Sequence, residues 1–275
     1  MTRHEEHSTD VHLAPEEQPP DSKQLAWFHL RLRTLLILPA AMLILGIVFV
    51  PRQLAHHRAL VGLRKLNGIV RTEPVALPGV STVFGDDYAQ QVREIYLRNP
   101  DVTDDDLQIL DGLKGLQKLE LSNAGISDAG LVHLSNLPDL FILHLSDTKV
   151  GDAGLESLQS LHSLGILSLN DTPVTGKGMV HLQRLPALER LFLNQTGVDD
   201  DGLRAIGQIH SLKELTLNNS QVTDAGLQHL QSLSNLEILK LADTSVTEEA
   251  VSALRSALPA CYIEGAELVE NGPGI

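Results

Sequence analysis

The acidic residues Asp104, Asp128, Asp152, Asp200, Asp224 and Glu248 recur at one position of a periodic sequence, and such a column of carboxylates could line a calcium-binding edge. Hydroxyl residues precede four of them, at Thr103, Ser127, Thr223 and Thr247. That is an N-cap pattern, in which a carboxylate in the first turn stabilises the positive end of a helix. Helix capping is therefore the expected role of this column. His133, His181 and His229 share another position, two repeats apart. With strands about 4.8 Å apart, rings so placed are separated by roughly 10 Å or more. A zinc ion needs its nitrogens at about 2 Å, so these histidines cannot share one metal, and the same arithmetic separates His162 from His210. All five are expected to be exposed on helices or loops. Asn170-Asp171-Thr172, Asn194-Gln195-Thr196 and Asn218-Asn219-Ser220 match the glycosylation sequon, but they arise from the repeat itself. Cys261 is the single cysteine, which excludes an intrachain disulfide and a cysteine-built zinc site. Glycine-rich phosphate loops, nucleophile elbows and metalloprotease signatures are lacking. Neither cofactor nor metal is expected, and the protein is expected not to be an enzyme.

The elements that carry these residues follow from an offset of 24 residues, maintained without insertion. The copies open with SNAGISDAGL (122–131), SDTKVGDAGL (146–155), NDTPVTGKGM (170–179), NQTGVDDDGL (194–203), NNSQVTDAGL (218–227) and ADTSVTEEAV (242–251), after a degenerate RNPDVTDDDL at 98–107. Each good copy follows two leucines one residue apart, from Leu119 and Leu121 to Leu239 and Leu241, and this alternation marks a short strand. Apolar residues then recur at helical spacing, as in Leu131, Leu134 and Leu137. Strand, helix and equivalent strand in succession give parallel strands joined by right-handed crossovers. The core residues of one unit, Leu116, Leu119, Leu121, Ile126, Leu131, Leu134 and Leu137, bury too little to offset the backbone entropy of 24 residues, so the units must stack.

The pattern LxxLxLxxTxVTDAGLxxLxxL resembles the leucine-rich-repeat family and covers about 170 of the 275 residues. It is similar to the repeats of F-box-type substrate receptors, and more closely to bacterial repeat proteins with one N-terminal membrane helix. The resemblance implies an α/β, right-handed solenoid (horseshoe) with one parallel strand per repeat, binding proteins or peptides on its concave face. Thr148, Thr172, Thr196, Ser220 and Thr244, with Ala124 in the first good copy, stand where the family usually has asparagine. Hydroxyls are expected to replace an asparagine ladder only in part.

Upstream, residues 34–50 form 17 consecutive uncharged, mostly apolar residues, near the length that spans a bilayer. Arg31, Arg33, Trp27 and Phe28 can anchor one interface and Arg52 the other. The polar leader is longer than a signal sequence requires, and PRQLAHH offers no small-x-small cleavage site. The expected organisation is a flexible tail at 1–29, a transmembrane helix at 30–51, a juxtamembrane helix and N-terminal cap at 52–93, repeats at 94–265 and a tail at 266–275. A single-pass membrane protein with non-cytoplasmic repeats is the expected location. The formal charge of −14 disfavours nucleic acid and anionic lipid headgroups as partners of the repeats.

In each strand the leucines point inward, so the residues beside them line the opposite face of the sheet. One such column is Tyr96, Glu120, His144, Ser168, Phe192, Thr216 and Lys240; the other is Glu94, Lys118, Ile142, Ile166, Arg190, Glu214 and Ile238. Ile142, Ile166 and Phe192, beside His144 and rimmed by Lys118, Glu120, Arg190 and Glu214, form an apolar centre within a charged rim. That is the anatomy of a protein-binding hot spot. The expected function is a membrane-anchored protein-interaction module. The alternatives are a self-associating scaffold, an F-box-like receptor, or an enzyme with a cryptic concave site.

Overall fold

A computed structural model of the chain describes residues 50–74 and 90–265. All of these but Val50 belong to one compact unit, Pro51–Ile275. The expected tails at 1–29 and 266–275, and the apolar run at 34–50 save its last residue, lie outside the described residues. Among those described, no helix is long and apolar enough to cross a membrane.

The strands form one sheet in sequence order. β1 (Ile69–Pro74) pairs antiparallel with β2 (Gln90–Tyr96). From β2 onward every pairing is parallel, through β3 (Lys118–Glu120), β4 (Ile142–His144), β5 (Ile166–Ser168), β6 (Arg190–Phe192), β7 (Glu214–Thr216), β8 (Ile238–Lys240) and β9 (Tyr262–Glu264). Register follows the sequence period: Leu119 lies opposite Leu143, Leu167 opposite Leu191, and Leu215 opposite Leu239. Each central residue is buried, while the residues on either side of it face away from the core.

On the other side of the core the segments are short. Asp104–Leu110, Gly130–Leu134, Glu156–Ser160, Gly176–Arg184 and Gln228–Leu230 are 3-10 helices, and α-helical turns occur at Asp152–Leu155, Asp200–Ile206, Asp224–Leu227 and Glu248–Ala257. The expectation of one regular helix per repeat is corrected here, for a reason visible in the spacing. Leu131 and Leu134 are fully buried and three apart within Gly130–Leu134, and the 3-10 period of three residues per turn puts them on one edge. A narrow helix also suits strands about 4.8 Å apart, because an α-helix with its side chains is about 10–12 Å wide. The sheet and these short helices thus form opposite sides of the core.

The turn after each strand repeats its chemistry. Asn123, Asp147, Asp171, Gln195, Asn219 and Asp243 all adopt φ of 54–62°, the left-handed region that Asn and Asp tolerate best. Gln195 is the departure. Gln195→Asn is expected to raise stability by about 0.5–1 kcal/mol in denaturant titration, and a destabilised variant would show that Gln195 makes a compensating contact. The hydroxyls of Thr148, Thr172, Thr196 and Thr244 donate at 2.6–2.7 Å to the carbonyls of Leu145, Leu169, Leu193 and Leu241 within their own repeats. An asparagine ladder exists two positions earlier. Asn170, Asn194 and Asn218 accept from the backbone N–H groups of Asn194, Asn218 and Ala242 at 2.8–2.9 Å.

All of the acids but Asp128 stand in the first helical turn as expected, after N-caps such as Thr103, Thr223 and Thr247, and most of the column also accepts hydrogen bonds from the next repeat. Asp152 accepts from the backbone N–H and hydroxyl of Thr175, at 2.7 and 2.6 Å. Asp104 does the same with Ser127, Asp200 with Thr223 and Asp224 with Thr247, while Asp128 accepts from the N–H of Gly151. Each of these carboxylates therefore ties its repeat to the next one. The ladder is interrupted where Gly176 replaces the acid and Asp199 replaces the hydroxyl residue; Asp199 caps its own helix through the N–H of Gly202.

Helix α1 (Val50–Lys65) and β1 close the N-terminal end: Ala59 and Leu63 join the core, and β1 covers the edge of β2. At the other end Ile263 is buried in the place of a strand leucine.

Candidate binding face

The two outward columns of the sheet bring together the residues expected to bind a partner. Ile142 pairs with Ile166, and Ile166 with Arg190; His144 pairs with Ser168, and Ser168 with Phe192. Ile142, Ile166 and Phe192 are half-buried on three successive strands, with Phe192 diagonal to Ile166. On one flank Arg190 meets Glu214 at 3.6 Å. On the other, the Lys118 ammonium lies 5.0 Å from the centre of the Tyr96 ring, a cation–π contact.

Glu120 is the correction: it is 1% exposed and does not form part of an open rim. Arg98 Nη2 reaches Glu120 Oε2 at 2.9 Å, His144 Nδ1 lies 3.1 Å from the same oxygen, and the Ser122 N–H donates to Oε1 at 3.2 Å. Burial by itself raises the pKa of the carboxyl. The bonds from His144, Arg98 and Ser122 outweigh burial and hold it well below the usual carboxylate range. The folded pKa thus lies below the unfolded value of about 4.3. The resulting stabilisation is present above that unfolded value and is lost as pH falls through the folded pKa.

Arg98→Ala removes one of these donors and is expected to cost about 1–3 kcal/mol at neutral pH. The wild-type advantage should shrink as pH is lowered, because the carboxyl of the variant takes up a proton first. Urea titrations of both chains across pH would read this directly, and a pH-independent difference would contradict it.

Two contributors escape the repeat pattern. Arg98 occupies, in the degenerate first copy, the place of Ser122, Ser146 and Asn170. Phe141 is 43% exposed, and a Cβ at Gly165 would overlap its ring, so the glycine of one repeat leaves room for the phenylalanine of the one before. Phe141 and Ile142 line a cavity of about 460 Å³ with Glu94, Gln117, Lys118, Asp139 and Ser163, beside the apolar centre. In both cases the signal was a departure from the repeat's own residue type.

The histidines are placed differently from the expectation of full exposure. His133, His181 and His229 are half-buried, with His133 Nδ1 3.7 Å from Asp111 and His181 Nδ1 2.6 Å from Gln159; His162 and His210 are exposed. Among the described residues, no three His, Cys, Asp or Glu side chains converge as a metal site.

A profile of the Leucine Rich repeat family matches residues 116–135 and 138–158. Among solved structures, internalin C2 of Listeria monocytogenes aligns with a TM-score of 0.53 at 24% identity, over 65% of this chain and 75% of its own. Another Listeria monocytogenes internalin, inlF, aligns with a TM-score of 0.46 at 19% identity, over 58% of this chain and 50% of its own. A leucine-rich-repeat protein of Leptospira interrogans gives 0.44 at 23% identity, over 57% and 44%. No curated protein matches this chain. The chain therefore carries leucine-rich repeats and has their α/β solenoid fold, which commonly serves as a protein–protein interaction module.

Proposed function

We propose that this chain is a membrane-anchored, non-catalytic interaction module that binds a protein or peptide on the inner face of its sheet. The observation that carries this reading is the half-buried trio Ile142, Ile166 and Phe192 on adjacent strands, in a face whose other members are largely charged and paired. An apolar centre that excludes water, with polar neighbours around it, is where association free energy concentrates. The anchor is the uncharged run at 34–50, with the repeats on the non-cytoplasmic side.

Phe192→Asp is expected to leave the circular dichroism and melting of the chain unchanged, since the side chain is not in the core. It should lower partner capture about thirtyfold, as for loss of a central hot spot worth about 2 kcal/mol. Undiminished capture by a folded variant would exclude this face.

A further inference from the structure

Helix α1 (Val50–Lys65) has a charge character opposite to the rest of its unit. It holds Arg52, Arg58, Arg64 and Lys65 and no acidic residue, whereas residues 66–275 contain 13 basic against 29 acidic residues, a net of −16. Burial divides the helix into two faces. His56, Ala59 and Leu63 are buried, and Gly62 lies against Ile109 of the first repeat. His57, Arg58, Val61, Arg64 and Lys65 are exposed, Val61 at 41%. At 3.6 residues per turn those five fall within an arc of roughly 120°, opposite the buried face.

Among the described residues Arg58, Arg64 and Lys65 form no ion pair, which is also true of Lys114, Lys149, Lys177 and Arg184, while the arginines at 71, 93, 98, 190, 204 and 255 each meet a carboxylate. Arg64 and Lys65 lie in the last turn, where the helix dipole favours cations. Arg58 lies two turns earlier, outside its reach. The apolar run 34–50 ends on the first residue of this helix, so α1 follows it directly in the chain.

We propose that the exposed face of α1, through Arg58, Arg64 and Lys65 with Val61 between them, docks on the anionic headgroups of a lipid bilayer. This rests on the anchor reading above. Opposite charge supplies the attraction, from anionic lipid in the leaflet on the same side as the repeats. A cationic helix carried on a strongly acidic unit also sets orientation, because the acidic repeats are repelled from the surface that attracts α1.

The test uses the full-length chain with Val61→Cys carrying an environment-sensitive fluorophore. Cys261 is buried and its thiol is pushed up to about 11 by that burial, so labelling favours position 61. The labelled chain is reconstituted into vesicles of phosphatidylcholine alone or with phosphatidylglycerol. The expected result is a blue shift with the anionic lipid only, reversed by salt. In the variant that also carries Arg58→Gln, Arg64→Gln and Lys65→Gln, the docking equilibrium constant should fall roughly a hundredfold, since each basic residue near such a surface contributes about fivefold.

Equal emission in both lipids, or an unchanged triple variant, would overturn the proposal. A shift that DNA produces and anionic vesicles do not would overturn it in favour of nucleic acid. A shift that follows protein concentration would overturn it in favour of a second copy. Failure of the anchor reading is seen separately, as chain that does not float with neutral vesicles. In that case salt-sensitive flotation with anionic vesicles, lost in the triple variant, still supports docking, and its absence refutes it.

Discussion

Leu169→Ala is expected to destabilise the chain by about 2–5 kcal/mol, among the largest effects of any single truncation. Leu169 is 0% exposed near the middle of the array. Its N–H donates to the carbonyl of Phe192 in the next repeat, and its own carbonyl accepts the Thr172 hydroxyl. Backbone pinned in this way on both sides cannot collapse into the space vacated by the side chain. The cavity therefore persists, and its cost adds to the lost transfer free energy. A terminal position such as Ile263, 5% exposed and covered on one side only, should cost less when truncated. Denaturant titration of the two variants checks both statements; a loss below about 1 kcal/mol at Leu169 would mean that the site relaxes and that the stacked core is looser than described.

The second large effect concerns the interrupted ladder. A Cβ at Gly176 would meet the carboxylate of Asp199 and press on the backbone nitrogen of Gly202, so Gly176→Asp sets two like charges face to face and shifts the neighbouring turn. That single variant is expected to lose about 1–3 kcal/mol, by repulsion and displacement of the Asp199 cap. Asp199→Thr alone supplies a hydroxyl with no carboxylate to receive it. Together the two substitutions recreate the pair seen at Asp152 and Thr175, with its two short hydrogen bonds. The double variant should therefore be more stable than the sum of the singles allows, with a favourable coupling of about 1–3 kcal/mol in a double-mutant cycle. Additive behaviour would show that the ladder contributes little across this junction.

The solenoid itself was legible in the sequence because its causes are local and periodic. Paired leucines such as Leu143 and Leu145 alternate across a strand, and a constant offset of 24 residues leaves one register for stacking. Helix type was less legible, since a spacing of three at Leu131, Leu134 and Leu137 reads equally as one edge of an α-helix or a 3-10 helix. The acidic ladder was visible as a column, but its partners lie 23 residues on. A pattern read along the chain sees Asp152 next to its own helix before it sees Thr175. Glu120 failed for a related reason. Its outward position on β3 is correct, yet Arg98 and His144 on either side cover it, and only Arg98's departure from the repeat hinted at that. Ile142, Ile166 and Phe192 were placed by alternation alone, and the structure sets them on neighbouring strands.

Binding of a protein partner on the inner face of the sheet is tested most directly by photocrosslinking in the cells that make the protein. A benzophenone amino acid is introduced at Phe192, and separately at Val132, which is 52% exposed on the helical side. The binding face described here predicts a covalent adduct to a partner protein from position 192 and none from position 132. Adducts from 132 with none from 192 would contradict it.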